Sequence, residues 1–247
     1  MIKFFRTIRQ NMLTENKFSK YLIYAIGEIV LVVIGILIAL SINNWNEDQK
    51  ANHKQSLVLK ELVNSINNDL SEYEKYLVPR LKFKKSGIDS LQAYIFGNKE
   101  IEDSIFLKFY NMSKQDVHFR YGNGPFEALK SSGLDLVRND SLRSQINNAY
   151  TGDLPNLVLF ANEYYYENKS KIDELYYNLI EIKPIYLADG TTNLVVTLKV
   201  DDILNNEDFL LAFHLEKNKY AQFIFRLEQL RTALLDIKSA IEKKLDE

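Results

Sequence analysis

The sequence predicts a mainly α-helical protein with one N-terminal transmembrane helix, an elongated helical bundle after it, and at most a small β-hairpin near residues 185–199. Three observations support this prediction. An apolar run near the N-terminus contains a single charged residue, and the 247 residues include only nine glycines and four prolines. Apolar side chains also recur every three or four positions in most later segments, which is the spacing of helices with one buried face.

The predicted transmembrane helix covers residues 21–42, which read YLIYAIGEIVLVVIGILIALSI. At about 1.5 Å per residue, a helix of this length crosses the bilayer core of about 30 Å. A cleaved signal peptide is the alternative, because Ala39-Leu40-Ser41 resembles a small-x-small cleavage site. Signal peptides have shorter apolar segments of about 7 to 15 residues, so we favour an anchor retained in the lipid bilayer.

Charges on the two sides of the span predict its orientation. Residues 1–20 hold five basic residues and one acidic residue, whereas residues 43–57 hold two of each. The positive-inside rule then places the N-terminus in the cytoplasm and the C-terminal part outside. We predict a basic segment at 1–20, a transmembrane helix at 21–42 and a helical domain at 43–247. An interfacial helix at 1–13 is the alternative to a simple basic flank.

Four residues of the span are candidates for contacts with another membrane helix. Gly27, Gly35 and Ala39 lie on much the same helical face, and small residues allow two helices to approach closely. Glu28 lies within the span, where an ionisable group is costly. Three interpretations of Glu28 stay open: it snorkels or is protonated, it hydrogen-bonds a partner helix, or it carries protons or ions.

Three amphipathic segments after the span predict helices. Pro79 is expected to end the first, because proline disfavours helix in the residue before it. The second covers about residues 81–96 and the third about residues 103–112. The apolar stripe of the first segment consists of Leu59, Leu62, Ile66, Leu70, Tyr73 and Leu77.

Residues 120–152 combine a glycine-rich loop with two short predicted helices. Pro125 suits the first turn of a helix that Gly133 closes, and Asp140 is expected to cap a second helix that Gly152 closes. Function is often located in such loops. The candidate binding surface therefore consists of Arg120, Tyr121, Asn123 and Phe126. A tight connection between helices is the alternative interpretation.

Two stretches carry a resemblance to a known family. The N-terminal NKFSKYLIYAIGEIVLVVIGILIALSINNWNED and the central ALKSSGLDLVRNDSLRSQINNAY resemble an uncharacterised family of single-span membrane proteins from Gram-negative bacteria. The resemblance implies a cytoplasmic N-terminus, one span of the bacterial inner membrane and a helical periplasmic domain. It implies no activity and no functional residue.

In the last third of the chain, the sequence predicts a long helix, then a strand-like segment, then a second long helix. Residues 154–182 keep the helical spacing, and Lys183-Pro184 is expected to end that helix. Asp189-Gly190 between two apolar runs predicts a hairpin or an irregular linker.

The final helix follows residue 202, with Asp202 or Asn206 as its cap. Its stripe has heptad-like spacing and suits a coiled coil or, as we prefer, a helix packed within the bundle. This stripe consists of Tyr220, Phe223, Leu227, Leu230, Leu234, Ile237 and Ile241.

The sequence contains no recognisable catalytic motif. The chain has no cysteine, which excludes thiol catalysis, and its three histidines lack metal-binding spacing. There is no phosphate-binding glycine loop, and a net charge of −2 does not favour nucleic acid as a partner. We therefore predict no cofactor and no metal, and we favour a protein that is not an enzyme.

The leading functional hypothesis is a membrane-anchored periplasmic binding or scaffold protein. It would present a helical surface to protein partners in the cell envelope, with a homo-oligomer as a further expectation. The alternatives are a sensory ligand-binding bundle that acts with a separate signalling subunit, and an enzyme whose site is invisible in the sequence.

Overall fold

The computed structural model describes residues 18–97 and 99–246, and these fall into two compact units. Among the described residues, the first unit ends at Ser56 and the second begins at Leu57. The interfacial helix considered for residues 1–13 lies outside the described residues. Within them, the chain is mainly α-helical with one two-stranded antiparallel sheet, which confirms the predicted fold class.

Helix α1 covers Phe18–Glu72 and contains the predicted span. Its most apolar stretch is long enough to cross a membrane and has no buried residue in the structure. A core helix of a soluble protein would bury such a stretch, whereas here Ile23, Leu31 and Leu37 are exposed by 70%, 68% and 57%. The exposed apolar surface is what a lipid-facing helix requires.

The helix does not end before Pro79, and that prediction was wrong. A π-turn over Tyr73–Leu77 follows α1 directly, and helix α2 then covers Val78–Gly97. The backbone N–H of Val78 donates to the carbonyl of Tyr73, five residues earlier. This turn contains one residue more than an α-helical turn and lies just before Pro79, which has no N–H to donate. The wider turn therefore allows the chain to remain helical through the proline.

Helix α3 (Asp103–Ser113) and helix α4 (Gly124–Ser132) agree with the sequence prediction. Gly133 ends α4 with a φ of 99°, a conformation that favours glycine. Helix α5 covers Asp140–Asn148, but its cap is Asn139, whose side chain accepts from the Leu142 N–H at 2.9 Å. Gly152 closes nothing, because it lies within a second π-turn, Ala149–Asp153.

Helix α6 covers Leu154–Leu179 and ends three residues earlier than predicted. Strand β1 (Ile180–Tyr186) begins at once, and it pairs with β2 (Thr192–Leu198) in a hairpin. The prediction of a helix to residue 182 was wrong because Ile182 pairs with Val196 across the hairpin. Helix α7 (Glu207–Leu245) completes the bundle, and Asn206 caps it by accepting from the Phe209 N–H at 3.2 Å.

Two hydrophobic cores hold the second unit together. The first is built from α1, α4, α5, the start of α6 and the C-terminal half of α7, and its fully buried members include Leu62, Ile66, Leu129, Ile146, Leu154 and Ile241. The second joins α2, α3, the end of α6 and the start of α7, and includes Leu91, Phe106, Tyr110, Tyr176, Leu179 and Phe209. The predicted stripes of α1 and α7 face the first core.

Candidate functional site

The connection between α3 and α4 runs along the C-terminal end of α1 and across the π-turn. Its side chains alternate, with Val117 and Phe119 buried and His118 and Arg120 exposed. Such alternation is typical of an extended chain with one face on a core. The Phe119 ring contacts the Tyr73 ring edge-on, with the ring centroids 6.4 Å apart. The connection therefore holds two exposed polar side chains against the helix.

Gly122 anchors this connection to α1. Its N–H lies 3.0 Å from both carboxylate oxygens of Asp69, and the Ser65 hydroxyl donates to its carbonyl at 3.3 Å. A Cβ at this position would lie 2.6 Å from Ser65 Oγ, so a larger residue would have to displace the Ser65 hydroxyl that donates to the Gly122 carbonyl. Burial raises the pKa of Asp69, the Gly122 N–H opposes that shift, and Glu72 adds to it.

The helix and the connection enclose a groove of about 470 Å³. We call it the arginine groove, because Arg80 stands on the helical wall and Arg120 on the wall formed by the connection. The residues that line it are Glu72, Tyr73, Tyr76, Leu77, Arg80, Val117, His118, Phe119 and Arg120. Cavities of roughly 300–1,000 Å³ are the usual size for small-molecule sites.

Arg80 and Arg120 are exposed, and neither is held in an ion pair by the described residues. Neither Arg80 nor Arg120 makes a hydrogen bond or an ion pair with any residue that the structure describes. Glu72, the carboxylate of the groove, is likewise without an ion pair within that part of the chain. The groove thus contains two fixed positive charges against one negative charge.

The aromatic residues of the groove differ in their exposure and in their contacts with the rest of the fold. Tyr76 is 67% exposed. Tyr73 is buried and donates its hydroxyl to Glu228 Oε1 at 2.8 Å. Burial, reinforced by that carboxylate, raises the pKa of Tyr73, so its hydroxyl stays a donor. His118 stacks on Tyr166 with the ring centroids 5.3 Å apart, and the Tyr166 hydroxyl lies 3.1 Å from the imidazole.

The four residues predicted as a binding surface have different positions. Arg120 lines the arginine groove, and Asn123 is exposed just before α4. Tyr121 is partly buried, and Phe126 is 1% exposed and stacks on Tyr150 with the ring centroids 4.8 Å apart. Phe126 therefore fixes the loop from inside the core. A direct contact with a partner stays a prediction for the other three.

The helical wall of the groove was missed at the sequence level. Glu72, Tyr76 and Arg80 are spaced by four residues, which places polar and aromatic side chains along one side of a helix. This spacing was visible in the sequence, but the helix end predicted at Pro79 separated Arg80 from Glu72 and Tyr76.

The membrane-contact candidates lie on α1, and all four are exposed within the single chain. A Cβ added to Gly27 or Gly35 would meet no atom within 4 Å. The fold of the chain itself therefore does not require glycine at these positions. A contact of Gly27, Glu28, Gly35 and Ala39 with a second helix remains a prediction.

A second cluster of charges is buried in the bundle. Lys84 of α2 donates to Glu216 of α7 and to the Ser113 carbonyl, and Lys219 Nζ lies 2.8 Å from Glu216 Oε2. The three charged side chains are at most 3% exposed. Burial lowers the pKa of Lys84 to about 8, the charge of Glu216 opposes that shift, and Lys219 adds to it. This buried cluster joins α2 and α7 to each other and to the C-terminal end of α3.

The described residues contain no cluster of side chains suited to a metal ion. Among residues 18–97 and 99–246, no three His, Asp or Glu side chains lie close enough together to hold an ion. The prediction of no metal rests on the sequence and is left as such.

Comparison with known proteins places the chain in a family without an assigned activity. An uncharacterised protein of Rickettsia prowazekii (strain Madrid E), RP448, is 28% identical over 166 residues, which is 66% of this chain and 31% of that protein. The chain thus spans about a third of the relative's length. No solved structure matches. The profile of the family of unknown function DUF6090 matches residues 28–215, and the chain therefore belongs to that family.

Proposed function

We propose that this protein is a membrane-anchored binding protein whose helical domain holds an anionic ligand group in the arginine groove. The observation that carries the proposal is the pair of arginines, Arg80 and Arg120, which line one groove and make no ion pair within the described chain. An exposed apolar helix precedes the domain and supports the anchor. The domain is proposed to lie in the periplasm, where envelope proteins or metabolites would supply the ligand.

The chemistry of the groove favours a carboxylate or phosphate on an aromatic or apolar body. A guanidinium presents paired donors that match the oxygens of such anions. Tyr76 offers an exposed ring near these donors, and Leu77, Val117 and Phe119 supply apolar surface. Glu72 offsets part of the positive charge, so a ligand with one or two anionic oxygens fits better than a polyanion. The adjacent π-turn is also a feature that recurs at functional sites.

Thermal unfolding of the full chain in nanodiscs tests this proposal with benzoate and phenyl phosphate as probes and neutral benzamide as their control. At about five times its dissociation constant, a ligand adds about 1 kcal/mol of stability, which raises the midpoint by about 2–4 °C. We expect that rise with at least one of the two anions and none with benzamide.

Matched variants then locate the binding. Arg80→Gln combined with Arg120→Gln should abolish the shift, whereas Lys171→Gln combined with Lys217→Gln, which changes the net charge equally at exposed positions, should keep it. A shift that survives the arginine changes would place the ligand elsewhere. Absence of any shift in the wild-type chain would refute an anion site of this size.

A further inference from the structure

The hairpin β1–β2 leaves an unpaired strand edge on the surface of the domain. We infer that β2 pairs through this edge with β2 of a second copy of the chain, so that two hairpins form one four-stranded antiparallel sheet. Isolated two-stranded hairpins are marginally stable in water, and exposed edges are templates for further pairing. This inference shares the membrane anchor with the proposed function, but it does not depend on the ligand of the arginine groove.

Backbone hydrogen bonds at both ends of the hairpin show which groups face outward. The Leu187 N–H donates to the Thr191 carbonyl at 2.9 Å, and the Lys199 N–H donates to the Leu179 carbonyl at 2.9 Å. Both pairs continue the register in which Ile180 lies opposite Leu198. Hydrogen-bonded and non-bonded pairs alternate in antiparallel strands, so the odd-numbered residues bond within the hairpin. The even-numbered residues direct their N–H and C=O groups away from it.

The two outer edges differ in chemistry. On β1, Pro184 stands at an outward-facing position and has no N–H to donate, while Glu181 and Lys183 place charges beside it. Proline and charge are the usual means of protecting an edge strand. Strand β2 reads TNLVVTL and has neither. Within the part of the chain that the structure describes, no backbone group bonds to the outer edge of β2.

Strand β2 is complementary to itself when the pairing is antiparallel and centred on Val195. Thr192 then lies opposite Leu198 of the second copy, and Leu194 lies opposite Val196. All of these positions face outward, so each pair can exchange two backbone hydrogen bonds. No two like charges meet, because the strand contains none. The pairing has twofold symmetry and closes as a dimer.

Lipid is a less suitable occupant than a second copy. The tip of the hairpin carries Asp189, whose carboxylate accepts from the Thr191 N–H at 2.9 Å and from the Thr191 hydroxyl at 2.6 Å. These bonds lower the pKa of Asp189, so the tip stays charged. An ionised carboxylate in hydrocarbon is costly. Copies anchored in one membrane, by contrast, have a raised effective concentration for each other.

Disulfide trapping in the full chain tests the register, and the natural chain contributes no cysteine of its own. In the proposed dimer Val195 faces Val195 of the second copy as a non-bonded pair, with Cα atoms about 4.5 Å apart, which suits a disulfide. Val195→Cys should therefore give a covalent dimer in membranes under mild oxidation. Asn193→Cys is the control on the same face, because the twofold axis would separate its two copies by about 13 Å along the strands.

A proline variant provides the complementary test. Leu194 is 67% exposed and lies opposite Pro184, so Leu194→Pro blocks the edge of β2 without removing a bond within the hairpin. We expect it to reduce trapping through Val195→Cys at least about tenfold, while circular dichroism and the wild-type unfolding midpoint change little. Equal trapping at positions 193 and 195, or trapping that survives Leu194→Pro in a folded chain, would overturn the inference.

Discussion

The buried charges show how much a single residue's environment depends on the rest of the fold. Lys82, Lys84 and Lys85 follow each other closely in the sequence, yet Lys84 alone of the three is buried. A signal for this was available, because Lys84 continues the spacing of Leu81, Ile88 and Leu91 on the buried face of α2. Its partner Glu216 is 132 residues away, and no local pattern connects the two.

Glu216→Gln should be the most damaging change in this cluster. It leaves Lys84 and Lys219 buried without their shared counter-charge, and breaking a buried pair in this way typically costs about 3–5 kcal/mol of unfolding free energy. Lys84→Met should cost less, because Glu216 keeps its ion pair with Lys219. Chemical denaturation of both variants measures the difference, and equal losses would contradict a shared role for Glu216.

Comparison of the wild type with Lys84→Met also tests how the free energy of unfolding depends on pH. Burial lowers the pKa of Lys84 from 10.5 to about 8, so between these values the unfolded chain binds the proton more tightly than the folded chain. The contribution of Lys84 to stability is therefore fully present above its pKa in the unfolded chain. It is lost as the pH falls through its lower pKa in the folded chain. Wild type should gain stability relative to Lys84→Met as the pH rises from about 8 towards 10. Parallel pH profiles for the two chains would contradict the shift.

At the scale of the elements, apolar spacing predicted most helices. The errors occurred where π-turns and strand pairing changed the backbone conformation. The stripes of α1 and α7 could be read directly because every third or fourth residue faces one core. Pro79 and Gly152 were wrongly predicted to end helices. A π-turn just before Pro79, and another that contains Gly152, keep the chain helical at both positions. The start of β1 was missed because the apolar residues near the end of α6 suit either a helix or a strand, and pairing with β2 decides between them.

The contact between α2 and α3 leads to a prediction at this scale. A Cβ on Gly87 would lie 2.6 Å from the Ser113 N and 2.7 Å from both the Phe109 O and the Met112 Cβ. Two of these atoms belong to the backbone, so Gly87→Ala must separate the helices, and overpacking of this kind costs about 1–3 kcal/mol. Gly124→Ala is the control, because its Cβ would meet nothing within 4 Å. Unfolding midpoints of the two variants check this, and an unchanged midpoint for Gly87→Ala would refute it.

For the molecule as a whole, the fold class was easier to predict than the candidate site. Composition and periodicity are sums over many residues, so a few local errors leave the mainly α-helical prediction intact. The arginine groove instead depends on two residues 40 positions apart, Arg80 and Arg120, that meet only when the connection lies across the π-turn. Of the residues that line the groove, the sequence singled out Arg120 alone, because it precedes a glycine-rich loop. The helical wall became visible only in three dimensions.

Membrane orientation is the remaining prediction at this scale, and the absence of cysteine makes it directly testable. Ser239→Cys places one thiol on an exposed position of α7, and Thr7→Cys places one in the basic N-terminal segment. A membrane-impermeant maleimide applied to cells with a permeabilised outer membrane should label the first variant and spare the second, because the basic segment is expected to stay inside. Both should react after the inner membrane is lysed, which controls for accessibility. The opposite pattern would place the helical domain in the cytoplasm, and the search for the ligand of the arginine groove would then move to cytoplasmic molecules.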